Sequence, residues 1–198
     1  MAQTTAIWIT IVLALITANL PFFVERPFLA TPWRQPGEPA RPAWLAPIEF
    51  LFFVLALAAL SYAAWQVIGH GFFIASDPLS LLAHIGKVFG ILSAVAAVLA
   101  YPGWRSRGHA VRKTFLVRIL EVMMFYALVG VLGLAFEASL GNVFAQTWEF
   151  YAITMSLFLV LAYPGFVFRY LMRRSKKAER SSPSKHPRDA DAAGWTKG

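Results

Sequence analysis

Apolar residues along this chain fall into five blocks, near Ala6–Phe23, Trp44–Ile68, Leu79–Tyr101, Phe115–Phe136 and Trp148–Tyr170. Each approaches or exceeds the roughly 20 apolar residues with which a helix crosses hydrocarbon. Lipid offers no water to free backbone groups, so a crossing segment is either a helix or a strand of a closed barrel. None of the blocks has the apolar–polar alternation of a barrel strand. The pattern therefore predicts an all-α, polytopic membrane bundle of five transmembrane helices spanning residues 1–174. The polar segment 175–198 follows as a disordered, basic cytoplasmic tail, because it holds too few apolar residues to build a core.

Composition agrees. In 198 residues, 58% are apolar and 14% charged, a balance foreign to soluble domains of this length. There is no cysteine, which excludes disulfides, thiolate metal sites and thiol catalysis. The net charge of +8 would suggest nucleic acid in a soluble protein. Here the basic residues flank apolar spans, so orientation in the membrane explains them and no nucleic-acid partner is expected.

The charges also orient the spans. Arg26, Arg34 and Arg41 lie in the first connector; Arg105, Arg107, Arg112, Lys113 and Arg118 lie between the third and fourth blocks; the rest, Lys87 excepted, run from Arg169 onward. Five crossings thus place 17 of the 18 basic residues on one side. By the positive-inside rule the N-terminus lies outside and the C-terminus in the cytoplasm. The first block lacks preceding positive charge, unlike a cleaved signal peptide, and reads as a retained helix. The first connector, with Pro27, Pro32, Pro36, Pro39 and Pro42, reads as extended, polyproline-like backbone. Asp77 followed by Pro78 reads as a helix start.

Two features suggest internal organisation. Val98–Gly103 and Val160–Gly165 are both VLAYPG, and Glu49 with Phe53 matches Glu121 with Phe125. The second and third spans therefore read as a possible duplicate of the fourth and fifth, with Pro102-Gly103 and Pro164-Gly165 as kinks or helix ends. Gly86, Gly90 and Ala94 recur at four-residue spacing, a small-residue ridge for helix packing.

Charged groups inside spans are candidates for function. Glu49 and Glu121 lie near the inner ends of their spans, where a helix N-terminus favours a carboxylate and Arg118 is a local partner for Glu121. Proton handling or proximity to a quinone is the functional alternative. Lys87 stands inside the third block and is expected to pair with Glu149 or Glu137 near the outer side. His70 and His84 fall toward the outer side, but a membrane haem needs two facing imidazoles held between helices, which this spacing does not supply. His109 and His186 lie in loop and tail. No phosphate loop, catalytic triad or paired acid–base carboxylates are present, so no catalytic residue, metal or cofactor is assigned and the chain reads as a non-enzyme.

The segments AIWITIVLALITANLPFFVERPF from Ala6, WEFYA from Trp148 and LFLVLAYPGFVFRYL from Leu157 carry a resemblance. They resemble a family of small bacterial membrane proteins of unknown function whose genes neighbour those of respiratory NADH:quinone oxidoreductase. Family members are shorter, with three spans, which implies extra sequence here from about Thr31 to Val111. The resemblance implies an accessory or assembly protein of the inner membrane whose partners are the bilayer and respiratory-complex subunits. The alternative is a small transporter or channel built on the duplicated hairpin, with Lys87, Glu49 and Glu121 along a polar path. The oligomeric state is not legible.

Overall fold

The computed structural model describes residues 3–38, 42, 44–71, 77–109, 111, 113–141 and 144–172. They form five helices and, among the described residues, no strand: α1 (Gln3–Phe23), α2 (Leu45–Gly71), α3 (Pro78–Arg105), α4 (Phe115–Ser139) and α5 (Trp148–Val167). All five are long and apolar enough to cross a membrane. The tail from residue 173, with Arg41 and Arg112, lies outside the described residues.

Helix starts follow local chemistry. Asp77 accepts a hydrogen bond from the Ser80 N–H at 3.2 Å and Pro78 opens α3, satisfying one orphan donor and removing another. The Ser80 hydrogen bonds hold the Asp77 carboxyl below the usual carboxylate range. Thr114 caps α4 through the Val117 N–H at 3.4 Å.

One helix end, at Pro102, differs from the sequence reading, whereas the fifth span continues past Pro164 as expected. The Pro102-Gly103 and Pro164-Gly165 steps lie within helices: α3 runs on to Arg105, and α5 continues past Val167 as a π-helical segment, Phe168–Met172. A proline removes one ladder donor, a loss that transmembrane helices tolerate where side chains supply replacement bonds. Close to these steps, the Ser106 hydroxyl donates to the Pro102 carbonyl at 2.8 Å, and Asn19 bonds to α5.

Packing is organised around α1 and α4. α4 packs broadly on α1 and α2, α1 packs also on α5, and α4 touches α5 only lightly. α3 packs on α2. The core joins Ala14, Ala18 and Phe22 of α1, Val122, Phe125 and Val129 of α4, and Phe158 and Ala162 of α5. Ala6, Thr10, Ala14 and Ala18 make the ridge that admits neighbouring backbones, with Ala18 wholly enclosed and Thr10 reaching Gly133 of α4.

Among the described residues, Gly86 and Gly90 of the expected Gly86, Gly90 and Ala94 ridge have no packing neighbour. A Cβ built on Gly86 or Gly90 meets nothing within 4 Å. The reason is position: α3 meets the bundle through residues such as Val95, Val98 and Leu99, on its α2 side. The two hairpins pack differently: α2 and α3 pack directly, whereas α4 and α5 touch lightly and share α1 as their common neighbour.

Candidate functional site

The ends of α1, α3 and α5 and the starts of α2 and α4 gather at one end of the bundle, where the charged side chains and the first connector meet. At the centre is Glu121, nearly two turns into α4 and with no exposed surface. One carboxylate oxygen accepts the Phe28 N–H at 2.7 Å and the other accepts Lys113 Nζ at 2.6 Å. The Lys113 ammonium also lies 4.7 Å from the centre of the Phe28 ring. Burial pushes this ammonium below the ordinary lysine value, and the Glu121 charge opposes the shift.

This arrangement corrects the expected local pairing of Glu121 with Arg118. Arg118, 2% exposed, instead donates from Nη1 to the Pro21 carbonyl at 2.6 Å, in the last turn of α1. A guanidinium complements the partial negative charge that accumulates there. Its Nε has no hydrogen-bond partner among the described residues. The local pairing fails because the connector brings the Phe28 N–H, and the loop before α4 brings Lys113, to the carboxylate.

The connector is thus a folded strap, in place of the extended segment its prolines suggested. Leu29, Thr31 and Gln35 are buried. Thr31 donates to the Trp33 carbonyl at 2.8 Å and accepts from Gln35 Nε2 at 3.4 Å, and the Gln35 N–H bonds to Glu38 at 3.1 Å. Arg169 ties the end of the bundle to Glu25 at 2.6 Å. Glu49 pairs with Arg105, which also donates to the Tyr101 hydroxyl at 3.1 Å, so the expected inner-end carboxylates both have basic partners.

A second junction, absent from the sequence reading, joins α1 to α5. Asn19 donates from Nδ2 to the Leu161 carbonyl at 2.8 Å and accepts the Gly165 N–H on Oδ1 at 2.8 Å. Those two backbone groups are an i, i−4 pair of α5, so one carboxamide serves both members of a helical turn beside Pro164. Gly165 permits this approach: a Cβ there would lie 2.9 Å from Asn19 Oδ1 and 3.1 Å from Phe22 Cβ. The related Gly103 faces the connector, 3.2 Å from the Pro27 carbonyl by the same measure. An intramembrane asparagine followed by proline was the available signal.

The remaining candidates do not converge. Lys87 is exposed on α3 and forms no ion pair among the described residues, so pairing with Glu149 or Glu137 is overturned. The cause is architectural: α3 packs on α2, far from the start of α5. Glu149 is exposed in the first turn of α5, and Glu137 accepts from Gln146 at 3.4 Å. Lys87, Glu49 and Glu121 therefore stand in three separate settings. No group of three His, Cys, Asp or Glu gathers among the described residues to hold a metal. The His70 side chain and His186 lie outside those residues.

Five membrane-length helices locked at one end by a buried carboxylate–ammonium pair define a multi-pass helical membrane protein. The chain belongs to a protein family of unknown function, DUF2818, whose profile matches residues 6–77 and 105–173. Matched sequence includes α2, so the part outside it, residues 78–104, is narrower than the Thr31–Val111 region implied by the resemblance. That part is nearly all of α3, and none of the residues in its most apolar window is buried. No curated protein and no solved structure matches the chain.

Proposed function

We propose that the chain is a non-catalytic accessory or assembly protein of the bacterial inner membrane that attaches to a larger membrane complex through α3. The observation that carries this reading is the uncovered face of α3. Gly86 and Gly90 present open backbone there, Phe89 is 68% exposed, and Lys87 projects outward. Small residues let a second helix come close enough for dispersion and weak polar contacts to hold it. A lysine held in hydrocarbon costs about 2.5–3.5 kcal/mol at the helix centre on insertion scales, which a partner carboxylate at the same depth offsets. Repulsion between two Lys87 ammoniums disfavours a parallel α3–α3 pair, so the partner is a different protein with an acidic group.

The remaining elements fit a scaffold. Glu121 has both oxygens engaged and the α1–α5 junction is closed by Asn19, so neither offers an open reactive group. The resemblance noted in the sequence makes the membrane arm of NADH:quinone oxidoreductase the first partner to test. The basic end faces the cytoplasm in this reading, by the positive-inside rule.

The test is affinity capture from native membranes in mild detergent, comparing wild type with Gly86→Leu/Gly90→Leu. Both side chains enter open space, so the melting midpoint of the variant stays within about 2 °C of wild type. Respiratory subunits should co-purify with wild type and fall roughly tenfold in the variant, a change of about 1.4 kcal/mol. Equal capture by both proteins would remove α3 as the contact.

A further inference from the structure

We propose that the trough between α2 and α4 is a phospholipid site, with one acyl chain lying along it and an anionic headgroup at its connector end. The trough has a volume of about 580 Å³, within the range of small-molecule sites. Phe53 and Leu57 of α2 and Met124 and Leu128 of α4 form its walls, and no charged residue lines it. The inserted part of any occupant is therefore hydrocarbon.

Its length fits a lipid tail. The α4 residues that line it run from Leu120 to Val131, about 16 Å at the helical rise. That is close to half of a hydrocarbon core roughly 30 Å thick, the depth reached by one leaflet's chains. The trough starts at the connector, where Leu29, Pro32 and Trp33 close its end, and stops near the bilayer centre. A chain entering beside Trp33 thus has its head at the interface.

The charge at that end selects the head. Arg34 is exposed and directly follows Trp33, and Arg26 and Arg107 are exposed at the same end of the bundle, where Arg105 is paired with Glu49. Juxtamembrane basic clusters attract anionic lipid. The mouth is also held in place, because Phe28 is fixed to Glu121 and Thr31 to Trp33 and Gln35. A preformed mouth distinguishes a retained lipid from the exchanging annulus.

The experiment is native mass spectrometry of the full chain released from nanodiscs of phosphatidylglycerol or phosphatidylcholine. Wild type should keep one phosphatidylglycerol and shed phosphatidylcholine. Ala127→Phe, which fills the trough, should lose the retained lipid. Arg34→Gln, an exposed substitution that leaves the fold intact, should lower the preference for phosphatidylglycerol about fivefold. Equal retention of the two lipids, an unchanged adduct in a folded Ala127→Phe protein, or an unchanged preference in Arg34→Gln would each overturn the assignment. A protein or a second copy cross-linked along the trough would overturn it as well.

Discussion

Glu121→Ala is expected to destabilise the protein by about 3–5 kcal/mol, the cost typical of removing one partner from a buried ion pair. The loss has two sources. Lys113, whose side chain has no exposed surface, keeps a charge without a counter-charge, and the Phe28 N–H loses its acceptor. The connector should then lift from α4, since that carboxylate is its anchor. The double variant Glu121→Gln/Lys113→Met removes both charges and leaves an amide oxygen for Phe28, so it should recover most of the loss. Glu49→Ala is the contrast. Its partner Arg105 is 38% exposed, and pairs of that kind are worth at most about 1 kcal/mol. Equilibrium unfolding in mixed micelles reads all three. A Glu121→Ala loss no larger than that of Glu49→Ala would show that the buried pair does not hold the connector.

Gly165→Ala should cost about 1–3 kcal/mol, the usual range for overpacking. The added methyl group would meet Asn19 and Phe22 inside normal contact distance, and part of that neighbour is backbone. Relief requires α1 and α5 to separate, which also stretches both Asn19 hydrogen bonds. Asn19→Ala should give a loss of similar size, because it removes two interhelical bonds worth about 0.6–1.7 kcal/mol each in membranes. The two effects should not add, since each variant breaks the same junction. Gly90→Ala is the matched control. Its methyl group enters open space, so stability should hold or rise slightly through helix propensity. Thermal melts of the four proteins in one detergent check the set, and additive losses would mean that Asn19 and Gly165 act separately.

These two junctions also mark where the sequence ceases to be readable. Five apolar blocks located five helices, because a membrane span is a local property of some 20 residues. Asp77-Pro78 located a helix start for the same reason. The end expected at Tyr101-Pro102-Gly103 lies inside α3, because a proline forfeits one ladder bond and membrane helices tolerate that loss, whereas the fifth span runs past Pro164 as expected. Beside Pro164, the Leu161 carbonyl is bonded by Asn19, 142 positions away. Lys113, from the loop before α4, pairs with Glu121 while Arg118 turns to the end of α1, and no local spacing rule reports which basic residue the packing turns toward the carboxylate. The alanine ridge of α1 was present in the sequence as Ala6, Ala14 and Ala18, yet Gly86 and Gly90 drew the packing assignment. Glycines mark close approach only where a neighbour exists, and α3 has its single broad contact on the opposite side.

The family match gives that last point its weight. Matched residues supply α1, α2, α4 and α5, which hold the buried pair, the asparagine junction and the core. α3 is the part outside the match and also the helix least covered by its own chain. An added helix with an open face changes what a bundle can contact without disturbing its core.

Site-specific photo-cross-linking in native membranes tests this most directly. A photoreactive residue at Gly90, on the open face of α3, is compared with one at Phe52, exposed on α2. The account predicts one discrete protein adduct from position 90, identified by mass spectrometry as a membrane subunit with an acidic residue in its contacting helix, and only lipid adducts from position 52. Lipid alone at position 90, or the same protein captured from both positions, would contradict it.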